Sequence, residues 1–166
     1  MIIVLMGVSG SGKSSVGTRL AQKLPYKFIE GDDYHSTSAK HKMSQGTPLN
    51  DNDRFKWLQN VTTSFKLWEN SNGLVISCSA LKKRYRSVLR APGHPITFVH
   101  LQGECPLIQE RLEQRTGHFF NPALLDDQYN QLEPLSSDES GFTVSVDQSI
   151  DLVVAEILAS LNHYLL

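Results

Sequence analysis

Gly7-Val8-Ser9-Gly10-Ser11-Gly12-Lys13-Ser14 is the stretch on which the reading of this chain turns. It fits G-x-x-x-x-G-K-[ST] without a mismatch and follows Ile2 to Leu5, a short, apolar, largely β-branched run suited to a buried strand. From Lys13 the spacing changes, and Val16, Leu20, Ala21 and Leu24 recur at helical intervals until Pro25. Strand, glycine turn and helix in that order are the context in which the motif has a mechanism. The glycines let successive backbone N–H groups converge on phosphate oxygens, and the helix N-terminus adds a partial positive charge. Lys13 is placed to reach the β and γ phosphates and the Ser14 hydroxyl to ligate Mg2+. This is a nucleoside triphosphate site.

Outward from the cradle, strands and helices alternate. Tyr26 to Glu30, Leu74 to Cys78, Ile96 to Leu101 and Phe142 to Val146 read as further strands. Between them, Asp51 or Asn52 caps a helix bearing Phe55, Leu58, Val61, Phe65 and Trp68, and Asn70-Ser71-Asn72-Gly73 stops it. Leu81 to Arg90, a helix opening near Pro106, and Ile150 to Leu161 complete the set, while His35 to Asn52 suggests two helix-like turns. The pattern predicts an α/β chain, a three-layer α/β/α sandwich of the P-loop NTPase kind. Its five-stranded sheet is mainly parallel and covered on both faces, with a helical lid at about 115–130. The whole chain, 1–166, reads as one domain.

Composition narrows the functions. The chain has 166 residues, 40% hydrophobic and 20% charged, with a net charge of −1. No global basic field draws it to nucleic acid or to an anionic membrane, so an anionic ligand needs a local set of donors. Cys78 and Cys105 cannot build a disulfide framework. The apolar start Met1 to Met6 is too short for a signal peptide and lacks a basic lead, so a cytoplasmic protein with no membrane partner is expected.

Phosphoryl transfer needs a carboxylate to orient the acceptor hydroxyl and take its proton. Glu30, Asp32 and Asp33 lie where the second strand ends, beside the cradle, although turn chemistry also favours such residues. Asp32 is taken as the base, and Asp33 as a cap or part of the metal surroundings. Arg54 follows a run of polar residues at a helix start, where a cation opposes the dipole and needs an anionic partner. Lys82-Lys83-Arg84-Tyr85-Arg86 holds four cations, and Lys82 and Arg86 share a face at i, i+4 spacing. That face suits either solvent or an anionic small substrate. Arg111 and Arg115, also i, i+4, run into Gly117–Pro122, as in a lid that closes over phosphates. His118 fits a substrate contact or an ordinary loop equally well. No NKxD base-reading motif of a GTPase switch is present.

The cradle, Gly31-Asp32-Asp33-Tyr34-His35, Pro48-Leu49-Asn50-Asp51-Asn52-Asp53-Arg54, Cys78-Ser79-Ala80-Leu81-Lys82-Lys83-Arg84-Tyr85-Arg86 and Gly117-His118-Phe119-Phe120 occur in the order seen in gluconate kinases. Those enzymes resemble the shikimate kinase group of P-loop kinases. The resemblance implies ATP-dependent phosphorylation of D-gluconate to 6-phosphogluconate with Mg2+, by a cytoplasmic homodimer. It places ATP on Gly7, Val8, Ser9, Gly10, Ser11, Gly12, Lys13, Ser14, Ser15 and Arg111, and the metal on Ser14. It puts the substrate among Asp32, Arg54, Lys82, Arg86 and His118, with Lys13, Asp32 and Arg115 at the chemistry. Two departures argue against shikimate as substrate. The Asp-x-Asp of shikimate kinases reads Glu30-Gly31-Asp32, and their glycine triplet reads Cys78-Ser79-Ala80. A kinase for another polyhydroxy acid or a nucleotide, and a non-catalytic nucleotide-dependent binding protein, are the competing readings. Few aromatics between Ser36 and Asn50 are available to hold a second base.

Overall fold

The computed structural model describes residues 1–66, 72–115 and 122–164. The elements in chain order are β1 (Ile2–Met6), α1 (Lys13–Lys23), β2 (Lys27–Glu30), a 3₁₀ turn (Gly31–Tyr34), α2 (Thr37–Ser44), α3 (Asp51–Phe65) and β3 (Leu74–Ser77). They continue with α4 (Lys83–Arg90), β4 (Ile96–Gln102), α5 (Cys105–Glu113), α6 (Pro122–Gln131), β5 (Gly141–Ser145) and α7 (Ile150–Tyr164). The sheet order is β2-β3-β1-β4-β5, and every pairing is parallel.

β1 lies between β3 and β4 and is buried along its whole length, which is why its sequence is an unbroken apolar run. Successive side chains alternate between the two faces. Ile3 and Leu5 join Val16 and Leu20 of α1 and Val153, Val154 and Ile157 of α7. Ile2, Val4 and Met6 join Trp57, Leu58, Val61 and Phe65 of α3 and Tyr85 and Leu89 of α4. Two separate cores on either side of one sheet are the three layers expected. The parallel strands bring all their carboxyl ends to one edge, where the cradle, the 3₁₀ turn and the start of α4 gather.

The boundaries differ from the sequence reading in instructive places. Asn50, not Asp51 or Asn52, caps α3: its Oδ1 accepts from Asp53 N–H at 2.9 Å, and its own N–H donates to Asp53 Oδ2 at 3.2 Å. This reciprocal capping box needs an acidic group three residues on, and Asp53 supplies it. The His35–Asn52 stretch forms one helix, α2, preceded by the 3₁₀ turn, rather than two helix-like turns. Lys82 is the extended cap of α4, so the helix starts at Lys83. An additional helix, α6, occupies most of the expected lid span. Trp68, Asn70, Ser71 and the Gly117–Asn121 stretch with His118 lie outside the described residues.

Candidate active site

The cradle is built by glycine geometry. Gly10 has φ +83°, a left-handed value, and a Cβ there would also stand 2.8 Å from Leu112 Cγ. The ammonium of Lys13 folds back over the loop, donating to the carbonyls of Gly7 at 3.0 Å and Val8 at 2.9 Å. Burial pushes the Lys13 ammonium below its ordinary value; Asp32, Cys78 and Glu30 pull it back up, and Arg115 lowers it again. Asp32, Glu30 and Arg115 thus each lie close enough to Lys13 to act on its charge. Burial raises the Cys78 thiol to about 12, which makes it a packing group and not a nucleophile.

On the other flank of the cradle a cavity of about 350 Å³ is lined by Gly12, Ser15, Arg111, Arg115, Val146 and Ser149, among others. Its size suits a nucleoside. Arg111 donates through Nη2 to the Val146 carbonyl at 2.6 Å, which ties α5 to the end of β5. Ser149 and Gln148, which also line the cavity, belong to no motif that sequence reasoning could have found.

The opposite side holds the carboxylates. Glu30 Oε1 accepts the Ser14 hydroxyl at 3.0 Å and also the Ser77 hydroxyl. With its proton held by Glu30, the Ser14 oxygen keeps lone pairs for a cation, so this donor set fits Mg2+. Among the described residues no group of three His, Cys, Asp or Glu could hold a metal ion. Ser77 ends β3, and the carboxylate it meets comes from the end of β2. The backbone carbonyl of Asp33 accepts from Lys40 Nζ at 3.3 Å.

Glu30 and Asp32 are fixed by the residue between them. Gly31 N–H donates to Ser77 Oγ at 3.3 Å, its carbonyl accepts Trp57 Nε1 at 2.7 Å, and a Cβ on it would stand 2.3 Å from the Ser77 carbonyl oxygen. Asp32 itself is exposed toward the edge, with His35 Nε2 3.8 Å from its Oδ1. His35 stacks on Trp57 with centroids 4.3 Å apart.

Beyond Asp32 lies a basic group centred on Tyr85, whose ring has Arg84 at 5.5 Å, Lys82 at 5.7 Å and Arg54 at 5.9 Å. The Tyr85 hydroxyl donates to Asp51 Oδ1 at 2.6 Å, the largest cause lowering the Asp51 carboxyl below its usual range. Arg84 pairs with Asp51 at 2.7 Å and Lys83 with Asp138 at 2.7 Å. Among the described residues no carboxylate lies within 4 Å of Arg54 or Lys82. Arg54 Nη1 makes only long contacts, 3.4 Å each, to Tyr85 Oη and Gln131 Oε1.

Arg86 is a correction to the sequence reading. It is fully buried, and its guanidinium is consumed internally. Nε and Nη2 donate to Glu139 at 2.6 and 2.9 Å, Nη1 to the carbonyls of Ala80, Leu81 and Glu133, and Nη2 to that of Pro134. Its helix turns it toward the 133–140 segment and not toward the site edge that Lys82 faces. Its contact with Ala80, which has φ +41°, holds the strained turn from which Lys82 departs.

An all-parallel sheet, a phosphate cradle at the end of its central strand, and a carboxylate near cations that meet no carboxylate among the described residues define a P-loop kinase. The shikimate kinase family model matches residues 9–162. A Xenopus tropicalis protein named a probable gluconokinase is 44% identical, with 95% of this chain and 91% of that one covered. The thermoresistant gluconokinase of Escherichia coli strain K12 is 41% identical, again covering 95% and 91%. A solved gluconokinase structure from Sinorhizobium meliloti 1021 superposes with a TM-score of 0.87 at 44% identity, covering 98% and 91%. The chain belongs to the shikimate kinase family and, within it, to the gluconokinases.

Proposed function

We propose that this protein transfers the γ-phosphoryl group of ATP to the 6-hydroxyl of D-gluconate, giving 6-phospho-D-gluconate. The observation that carries the reading is the pair Arg54 and Lys82. In a chain with net charge −1, the neighbouring Lys83, Arg84 and Arg86 have carboxylates within 4 Å, and among the described residues these two do not. Desolvating like charges side by side is costly, and an anionic acceptor compensates for it. A carboxylate there gains charge-assisted hydrogen bonds and fixes which end of the acceptor faces the cradle. The names of the relatives support gluconate as that acid.

The residues then divide the work. The cradle amides from Gly7 to Ser15 and the Lys13 ammonium hold the phosphate chain, while Arg111 and Arg115 border the nucleoside cavity. Ser14, oriented by Glu30, would hold the Mg2+ ion, which when bound neutralises charge on the phosphates. Asp32 orients the acceptor hydroxyl and takes its proton as transfer proceeds. His35, held against Trp57, limits where the Asp32 carboxylate can swing. Arg115, within electrostatic reach of Lys13, adds positive charge where the transferring group passes.

The test is kcat/KM for gluconate and glucose, with the product's phosphate position read by NMR. Glucose, lacking the carboxylate, should be used at least ~10²-fold less efficiently, taking a lost charged partner as ~3 kcal/mol. Arg54→Leu and Lys82→Met should each narrow that preference. Equal use of both sugars by the unaltered protein would remove the carboxylate argument.

A further inference from the structure

Helix α6 touches both ends of the proposed reaction. Its far side is anchored: Leu125 lies in the core below α5, and the Tyr129 hydroxyl donates to the Gly103 carbonyl at 2.7 Å. Its near side presents two glutamines three residues apart, which a helix places on one face. Gln128 meets the cradle reciprocally: Ser9 N–H donates to Gln128 Oε1 at 2.7 Å, and Gln128 Nε2 donates to Ser9 Oγ at 3.0 Å. One turn on, Gln131 Oε1 accepts from Arg54 Nη1 at 3.4 Å, with its own amide nitrogen held by Asp127.

Ser9 has a defined place along the phosphate chain. The Lys13 ammonium sits on the carbonyls of Gly7 and Val8, the two residues before Ser9, whereas the nucleoside cavity is lined by Gly10, Ser11, Gly12 and Ser15. Ser9 is therefore at the terminal-phosphate end. A γ-phosphate oxygen arriving there competes with Gln128 Oε1 for the Ser9 N–H, and a carboxamide can answer by presenting its N–H₂ instead. A carboxylate at this position would repel the phosphate.

We propose that Gln128 is a positioning residue that couples the γ-phosphate end of the cradle to the acceptor site through α6, with Gln131 as the acceptor-side contact. The proposal rests on the gluconate kinase reading above and deepens it. Occupation of Ser9 by the γ-phosphate shifts Gln128, the face of α6 it shares with Gln131 moves, and Arg54 is released from its long contact to meet the acceptor carboxylate. A diphosphate does not reach Ser9 and leaves the contact in place. Such coupling is a free energy between two sites and is reciprocal, so it is read from binding alone.

The experiment is calorimetric titration of gluconate into the full-length protein saturated with Mg2+ and either ADP or the non-hydrolysable analogue adenylyl imidodiphosphate. The unaltered protein should bind gluconate at least ~5-fold more tightly with the analogue than with ADP, within the usual range of allosteric factors. Gln128→Ala and Gln131→Ala should each bring that ratio below about 2 while ADP affinity changes by less than about 2-fold. Gln128→Asn, which keeps the chemistry but shortens the reach, should behave as Gln128→Ala and stands in if the alanine variant does not fold. A ratio near 1 in the unaltered protein overturns the proposal, as does a full ratio retained in these variants. A collapse of ADP affinity in Gln128→Asn overturns it too, since the residue would then merely shape the cradle. Failure of the unaltered protein to bind or phosphorylate gluconate at all is a separate result, and it refutes the underlying kinase reading.

Discussion

Replacing Arg86 with methionine tests whether this cation is structural or serves the acceptor. Methionine keeps a long unbranched side chain but removes all five N–H donors. Glu139 is then buried beside no guanidinium, a situation worth about 3–5 kcal/mol of destabilisation. The carbonyls of Ala80, Leu81, Glu133 and Pro134 also lose a donor, which water entering beside the shorter side chain replaces. A total loss of about 5 kcal/mol is a large fraction of the ~5–15 kcal/mol that a domain of this size holds. At ~2–4 °C per kcal/mol it lowers Tm by roughly 10–20 °C. Glu139→Gln keeps an acceptor for the guanidinium and should cost about 2 kcal/mol. It also carries a pH signature. Burial opposes the Glu139 charge, but hydrogen bonds from Arg86 and Ser136 outweigh it and hold the carboxyl at about 2 instead of 4.5. A depressed carboxyl stabilises the fold fully above about 4.5 and loses that contribution as pH falls toward 2, here about 3 kcal/mol. That acid-side loss should be absent in Glu139→Gln. Urea unfolding followed by tryptophan fluorescence from pH 7 to 3, with gluconate KM at pH 7 alongside, measures both. Stability within ~1 kcal/mol of the unaltered protein together with a tenfold rise in gluconate KM for Arg86→Met would refute the structural assignment.

Lys13→Ala should lower the transfer rate by ~10³-fold or more while leaving the circular dichroism unchanged, because its ammonium bonds only to the loop it closes. Asp32→Asn should lower kcat by ~10²–10⁴-fold with little change in ATP binding; a collapse of ATP affinity with kcat preserved would assign Asp32 to the metal side. Burial lowers both His35 and His100 from 6.5, with Asp32 partly offsetting the effect at His35 and Arg86 adding to it at His100. Lys40 and Arg54 reinforce the lowering at His35. The unfolded chain then binds more protons than the native one, so stability should fall as pH drops below about 6.5. In urea titrations His35→Gln should flatten that decline between pH 6.5 and 5, and an unchanged slope would contradict the assignment.

Much of the fold could be read directly from the chain, and the reasons are local. β1 and the cradle announce themselves by an apolar run and a glycine pattern whose φ values only glycine adopts easily. Asn50 was missed as a cap because Asp51 and Asn52 are equally good capping types; only the return bond from Asp53 separates them. Arg86 was misplaced for a different reason. Helical periodicity groups it with Lys82, but burial is decided by Glu139, more than fifty residues away in a stretch that reads as loop. A local hint existed, since Arg86 stands between Tyr85 and Leu89 on the apolar side of α4. Gln128 and Gln131 gave no signal at all, because glutamine on an amphipathic helix ordinarily faces solvent. Glu30 could be seen as a strand-end carboxylate, yet only its two hydroxyl partners separate it from Asp33.

The tight seat of Gly31 has a consequence for how this active site can vary. With the Ser77 carbonyl oxygen 2.3 Å from where a methyl would sit, the peptide joining Glu30 to Asp32 cannot accept a side chain unless β2 and β3 separate. The separation would act at the point where Ser14, Glu30 and Ser77 meet, and would carry Asp32 with it. The cation-orienting group and the proton-accepting group are thus two jaws of one rigid piece, and neither can be retuned alone. Acceptor preference is free to drift only through the parts that face this piece across the cleft: Arg54 on α3, Lys82 at the head of α4, and the glutamines of α6. A search for variants with new acceptor acids should leave residues 30–32 untouched and diversify those four positions together.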